Sequence, residues 1–101
     1  MPRSSTLFSI ILLAILIAGC AAAPVQEMSD ARQAVRAAVD AGAEEYAPDE
    51  LKAAEKYLRQ AEESLKTWNF GQARMNALGA KDRAQGALRI TNREKNEVDH
   101  K

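Results

Sequence analysis

Between Met28 and Thr91, small and apolar residues return at alternating steps of three and four, and this spacing constrains the fold more than any other feature. Met28, Ala31, Val35, Ala38 and Gly42 form the first such series. Leu51, Ala54, Leu58, Ala61, Leu65 and Trp68 form the second, and Phe70, Ala73, Ala77, Ala80, Ala84 and Ala87 the third. Each series lies along one face of a helix with 3.6 residues per turn. One seam alternates leucine with alanine and another is nearly all alanine, so large residues can sit opposite small ones at close range. The expected fold is therefore all-α, coiled-coil-like, an antiparallel helical hairpin or a small three-helix bundle over residues 28–92.

The interruptions fit this reading. Ser29 or Asp30 can cap the first helix. Tyr46-Ala47-Pro48 breaks it, and Pro48 suits the first turn of the next helix, with Asp49 and Glu50 at the positive end of its dipole. Asn69 is a candidate cap for the third. Trp68 and Phe70 bracket that turn and are expected to cover the end of the hairpin core, or else to form a small binding knob. Gly79 and Gly86 lie seven apart within the third helix, where another helix, the first or a partner's, can approach closely. Residues 93–101 carry almost no apolar content and read as a frayed helix end or a disordered polar tail.

Charge adds a register. The chain holds 14 basic and 14 acidic residues, a balance that argues against a nucleic-acid partner. The two halves of the helical region differ: residues 26–63 have ten acids against five bases, and residues 64–101 have eight bases against four acids. In an antiparallel hairpin Glu62 should meet Arg74 and Glu55 should meet Lys81. Such exposed pairs set register more than stability, at roughly 0.2–1 kcal/mol each.

The first twenty residues are of another kind. After Arg3, residues 7–18 are almost wholly apolar, and as a helix these twelve residues rise only about 18 Å, short of the ~30 Å hydrocarbon layer. The run ends in Ile17-Ala18-Gly19-Cys20, which resembles the bacterial lipobox: an aliphatic residue, two small ones, then cysteine. The resemblance implies that 1–19 is a lipoprotein signal peptide, with Ile17, Ala18 and Gly19 recognised by the signal peptidase. Cys20 is then the lipidated first residue of an 82-residue mature chain, followed by a tether over 20–27. Ala21 holds the sorting position, where aspartate would favour the inner membrane, so an outer-membrane destination facing the periplasm is implied. With one cysteine, no disulfide within the chain can form.

Chemistry is sparse. His100 is the only histidine. Glu97-x-x-His100 matches one half-motif of a metal-binding bundle, which needs two copies and further carboxylates. The adjacent pairs Glu44-Glu45 and Glu62-Glu63 diverge by about 100° on a helix and read as surface charge. No glycine-rich phosphate loop follows a strand. No catalytic residue, cofactor or metal site is expected.

The stretch Gly42-Ala43-Glu44-Glu45-Tyr46-Ala47-Pro48-Asp49-Glu50-Leu51, followed by Ala54, Leu58, Ala61 and Leu65, resembles an uncharacterised family of short alanine-rich helical domains in bacterial envelope lipoproteins. Tyr-Ala-Pro-x-Glu-Leu is its most specific part, and the similarity covers roughly residues 31–88. Some members are fused to an OmpA-like domain, which does not occur in this sequence. The turn at 68–73 is more weakly similar to a tetratricopeptide unit. The layout also resembles the major murein lipoprotein, whose C-terminal lysine joins peptidoglycan, which makes Lys101 a candidate attachment point. The residues before it, Val98-Asp99-His100, depart from that protein's basic-aromatic ending. Together these resemblances imply a non-enzymatic outer-membrane lipoprotein with a structural or adaptor role. The alternatives are an accessory docking subunit of an envelope complex and a peptidoglycan-linked tether. Partners would be the membrane through the lipid, and an envelope protein or a second copy.

Overall fold

The computed structural model describes residues 2–21 and 23–99, and among them every regular element is a helix: α1 (Pro2–Ala21), α2 (Val25–Ala41), the single turn α3 (Ala43–Tyr46), α4 (Pro48–Lys66) and α5 (Phe70–Asp99). The long helices α2, α4 and α5 pack as a three-helix bundle, with α5 in contact with both others over most of their length. α4 runs antiparallel to α5, as the spacing predicts. α2 runs parallel to α5: Glu27 lies against Arg74 and Asp30 against Lys81 near its start, and Ala41 against Lys95 at its end.

The three periodic series, apart from Trp68, line the core. On α5, Ala73, Ala77, Ala80, Ala84 and Ala87 are all fully buried, and Met28, Ala31, Ala38, Leu51, Ala54 and Ala61 face them. The apolar side chains divide into two clusters. One joins Met28, Ala31, Ala61, Ala77 and Ala80 with the half-buried Tyr57, Leu58 and Leu65. The other joins Ala38, Ala43, Ala47, Leu51 and Ala87 with Val35 and Ile90.

The joints follow local chemistry. Gly42 ends α2 at φ 102°, a left-handed conformation that glycine takes without a Cβ penalty, and its N–H closes on the carbonyls of Ala38 and Val39. Pro48 stands in the first turn of α4. Asn69 caps α5, its Oδ1 accepting the Gln72 N–H at 3.3 Å.

Four expectations need correcting. α2 starts at Val25 with Pro24 at the cap position and no side-chain cap; Ser29 and Asp30 lie inside the helix. The charge pairs run through α2: Arg74 pairs with its Glu27 at 3.3 Å, Lys81 with its Asp30 at 3.7 Å, and Glu62 of α4 with its Arg32 at 3.6 Å. The third helix packed along α5 supplies these partners, where a two-helix reading had only α4 to draw on. At Gly79 the approaching group is the Tyr57 ring of α4, which would stand 3.2 Å from an added Cβ, and Gly86 faces the Glu50 carboxylate. Residues 93–99, read as a frayed or disordered tail, continue α5. Lys95 explains much of this: its ammonium donates to the Ala41 carbonyl at the negative end of the α2 dipole and sits 6.0 Å from the Tyr46 ring centroid.

The alanine seam sets a steric test. Ala77→Leu should overpack the contact and destabilise the bundle by about 1–3 kcal/mol, whereas Asn92→Leu, on the exposed side of α5, should stay within about 0.5 kcal/mol. Thermal melts of the two variants check this, and equal shifts would contradict the packing.

Candidate functional site

Ile17, Ala18, Gly19, Cys20 and Ala21 all fall on α1, which runs unbroken through them to Ala21. Among the described residues α1 makes no extensive contact with the bundle helices. Its described side chains, those of 4–14, are all exposed, and these include Leu7, Phe8, Ile10, Ile11, Leu12 and Leu13. Six large apolar side chains in water on one helix are a strongly unfavourable arrangement for a soluble protein. Among the described residues no helix is long and apolar enough to cross a membrane. Lys101 and His100 lie outside the described residues.

Past α1 the chain enters the bundle abruptly. Pro24 is fully buried, its carbonyl accepting the Met28 N–H at 3.0 Å, and Val25 beside it is exposed. Three residues of sequence, 21–23, separate Cys20 from Pro24.

The second notable feature is the α4–α5 turn. α4 ends at Lys66 with Thr67 as its cap residue, so Trp68 is not on a helical seam. The Trp68 N–H bonds the Leu65 carbonyl at 3.1 Å and the Asn69 N–H bonds the Ser64 carbonyl at 2.9 Å. This is the Schellman arrangement, and Trp68 fills the left-handed position that glycine usually takes, with φ 61°. For a bulky side chain that conformation costs roughly 1–2 kcal/mol. The side chain is 79% exposed and its ring centroid is 5.7 Å from that of the half-buried Phe70. The expectation that Trp68 covers the hairpin core is therefore wrong, because the helix stops two residues before it. The three–four step carries the series onto this position, while the helix-capping Asn69 beside it was the cue that the turn starts here.

Elsewhere the described residues line open grooves. One of about 350 Å³ runs between α2 and α5 past Asp30, Ala34, Ala37, Lys81 and Leu88, and another of about 330 Å³ lies beside Tyr57 and Arg83. Among the described residues no three of His, Cys, Asp and Glu are grouped to hold a metal ion. Glu44 and Glu45 are both exposed on α3.

A family model described as Domain of unknown function (DUF4398) matches residues 26–101. The chain belongs to this family. No curated protein and no solved structure matches it. The DUF4398 match takes in α2 to α5 and begins six residues beyond Cys20, leaving all of α1 outside.

If Trp68 is exposed on a strained turn, Trp68→Gly should leave the domain's stability unchanged or raise it by up to about 1 kcal/mol. A core tryptophan would instead lose about 3–5 kcal/mol on truncation. Chemical denaturation of the variant distinguishes the two.

Proposed function

We propose that this DUF4398 chain is a bacterial lipoprotein, acylated at Cys20 after removal of residues 1–19 and held at the outer membrane facing the periplasm. The helical domain there is a non-enzymatic structural or adaptor element of the envelope. The observation that carries this reading is the pairing of an unpacked, exposed apolar helix with Ile17-Ala18-Gly19-Cys20 at its end. Such a segment is removed or taken up by a bilayer, and a lipobox-like ending favours removal with lipid attached to the thiol. Two or three acyl chains anchor firmly where one binds reversibly. The family domain, beginning after Cys20, stays whole when the leader is cut away. Exposed Met75 and Leu78 on α5 favour the adaptor role, since they offer apolar surface to an envelope protein.

Intact-mass analysis of the protein from cells grown with labelled fatty acid tests the anchor. The wild type should carry acyl chains on Cys20 and begin there, and Cys20→Ser should remain an unlabelled precursor. A wild type with a free thiol and residues 1–19 in place would overturn the reading.

Sorting is tested separately. Ala21→Asp should move the protein toward the inner membrane on a density gradient. A wild type already fractionating there would refute the outer-membrane assignment.

A further inference from the structure

The end of the bundle at which the chain arrives from Cys20 is also the end that carries the strained tryptophan. Met28, four residues after Pro24, shares its apolar cluster with Leu65, three residues before Trp68. Arg32 of α2 pairs with Glu62 of α4, and Glu27 in the first turn of α2 pairs with Arg74 near the start of α5. Gly42 and Lys95 meet at the opposite end. The α2 start, the α4 end and the α5 start therefore form one tip.

That tip holds exposed apolar side chains among its polar ones. Trp68 is 79% exposed, Val25 73% and Met75 66%, with Phe70 against the indole. Glycine or asparagine would relieve the left-handed backbone at 68 and would suit water better. A bulky residue kept in a strained, exposed position points to a use for the side chain. Tryptophan is also the residue best matched to a membrane interface, its ring body in the acyl boundary and its N–H among headgroups. Lys66 stands beside it with its side chain largely exposed, paired to Glu63 only at 3.9 Å, and is free to turn toward lipid phosphate.

We propose that Trp68, with Phe70 against it and Val25 on the same tip, inserts into the interface of the leaflet that holds Cys20, so that the bundle rests on the bilayer by this tip. The inference rests on the anchoring reading, and tether length carries it further. From Cys20 to Pro24 is four residues, which span at most about 14 Å when fully extended. A lipid on Cys20 thus confines this end of the domain to the membrane surface and leaves the opposite end free to point away.

Trp68 is the only tryptophan, so its fluorescence reports on the tip alone. The test uses the full chain purified from cells and reconstituted into phosphatidylethanolamine–phosphatidylglycerol vesicles, with flotation to separate the bound protein and intact mass to read the state of Cys20. In the bound protein, Trp68 emission should lie at shorter wavelength than that of N-acetyltryptophanamide in buffer. It should be quenched strongly by lipid carrying a doxyl group near the headgroup, less by a deep doxyl, and little by acrylamide. Unshifted emission with full acrylamide quenching would overturn the proposal while an acylated Cys20 left the anchor intact. Shifted emission without doxyl quenching would also overturn it, because a protein surface and not lipid would then cover the indole. An unacylated chain that keeps the apolar run at 7–18 and floats with the vesicles would refute the anchoring reading, and its fluorescence would still decide whether the tip enters lipid. A chain that fails to float with vesicles would refute both.

Discussion

Everything in the bundle depends on five alanines of α5 that leave no room for anything larger. Ala73, Ala77, Ala80, Ala84 and Ala87 are all fully buried, and both α2 and α4 press on the stripe they form. Alanine contributes little apolar area at about 25 cal/mol per Å², so this seam stabilises mainly through dense contact between closely spaced backbones and through high helix propensity. Most of the larger side chains come from the other helices, Met28, Leu58 and Leu65 at one end and Val35 and Leu51 at the other, where α5 adds Ile90. α5 is in effect a smooth rail on which two knobbed helices lie. That is why it must be long and unbroken, and why the glycine at 79 opens space for a ring and leaves the helix straight on through it.

The same central position explains the electrostatics. α5 carries its bases along both flanks, and each flank meets acids from a different helix: Glu27 and Asp30 of α2 on one side, Glu50 of α4 on the other, the last 3.5 Å from Arg83. All these pairs are partly solvated, so they guide the choice and register of neighbours more than they add stability. The parallel arrangement of α2 and α5 is supported at its far end by Lys95, which places a cation on the carbonyl end of α2. A charge near the end of the sequence thus holds the turn at Gly42, more than fifty residues earlier.

Periodicity was legible in the sequence because a buried helical face leaves a direct record in residue size. The three series short of Trp68 and the antiparallel packing of α4 on α5 followed from that record, and the start of α4 at Pro48 and the Asn69 cap from local chemistry. The end of the first helix followed from neither, since α2 already stops at Gly42 and the turn α3 lies between it and Pro48. What could not be read depended on a third body. Whether Glu62 meets Arg74 or Arg32 is a matter of where α2 lies, and nothing in the spacing of α2 distinguishes a parallel from an antiparallel approach to α5. The tail misled for a related reason: 93–99 has almost no apolar content, and its helix is supported by one lysine reaching a carbonyl on another helix. Trp68 misled because a three–four step continues on paper past the point where a helix stops. For the site, the segment ending at Cys20 stood out by composition alone, but the tip beside it became visible only once the helix directions were known.

Those directions give the domain two unlike ends. Up, down and up again, the three long helices return the chain to its starting end once, at the α4–α5 turn, and leave it at the other. With Cys20 anchored as proposed, the near end is committed to the membrane by a tether of a few residues, while α5, thirty residues and about 45 Å long, carries the chain outward to Asp99. A flexible linker of similar length would not hold that separation, since its ends would fluctuate over much shorter mean distances. The alanine rail therefore does more than fill a core. By letting two helices brace a third along its length, it makes a stiff body of a thin, weakly apolar sequence, one that under the proposed anchor would fix how far from the lipid the residues at its far end are presented.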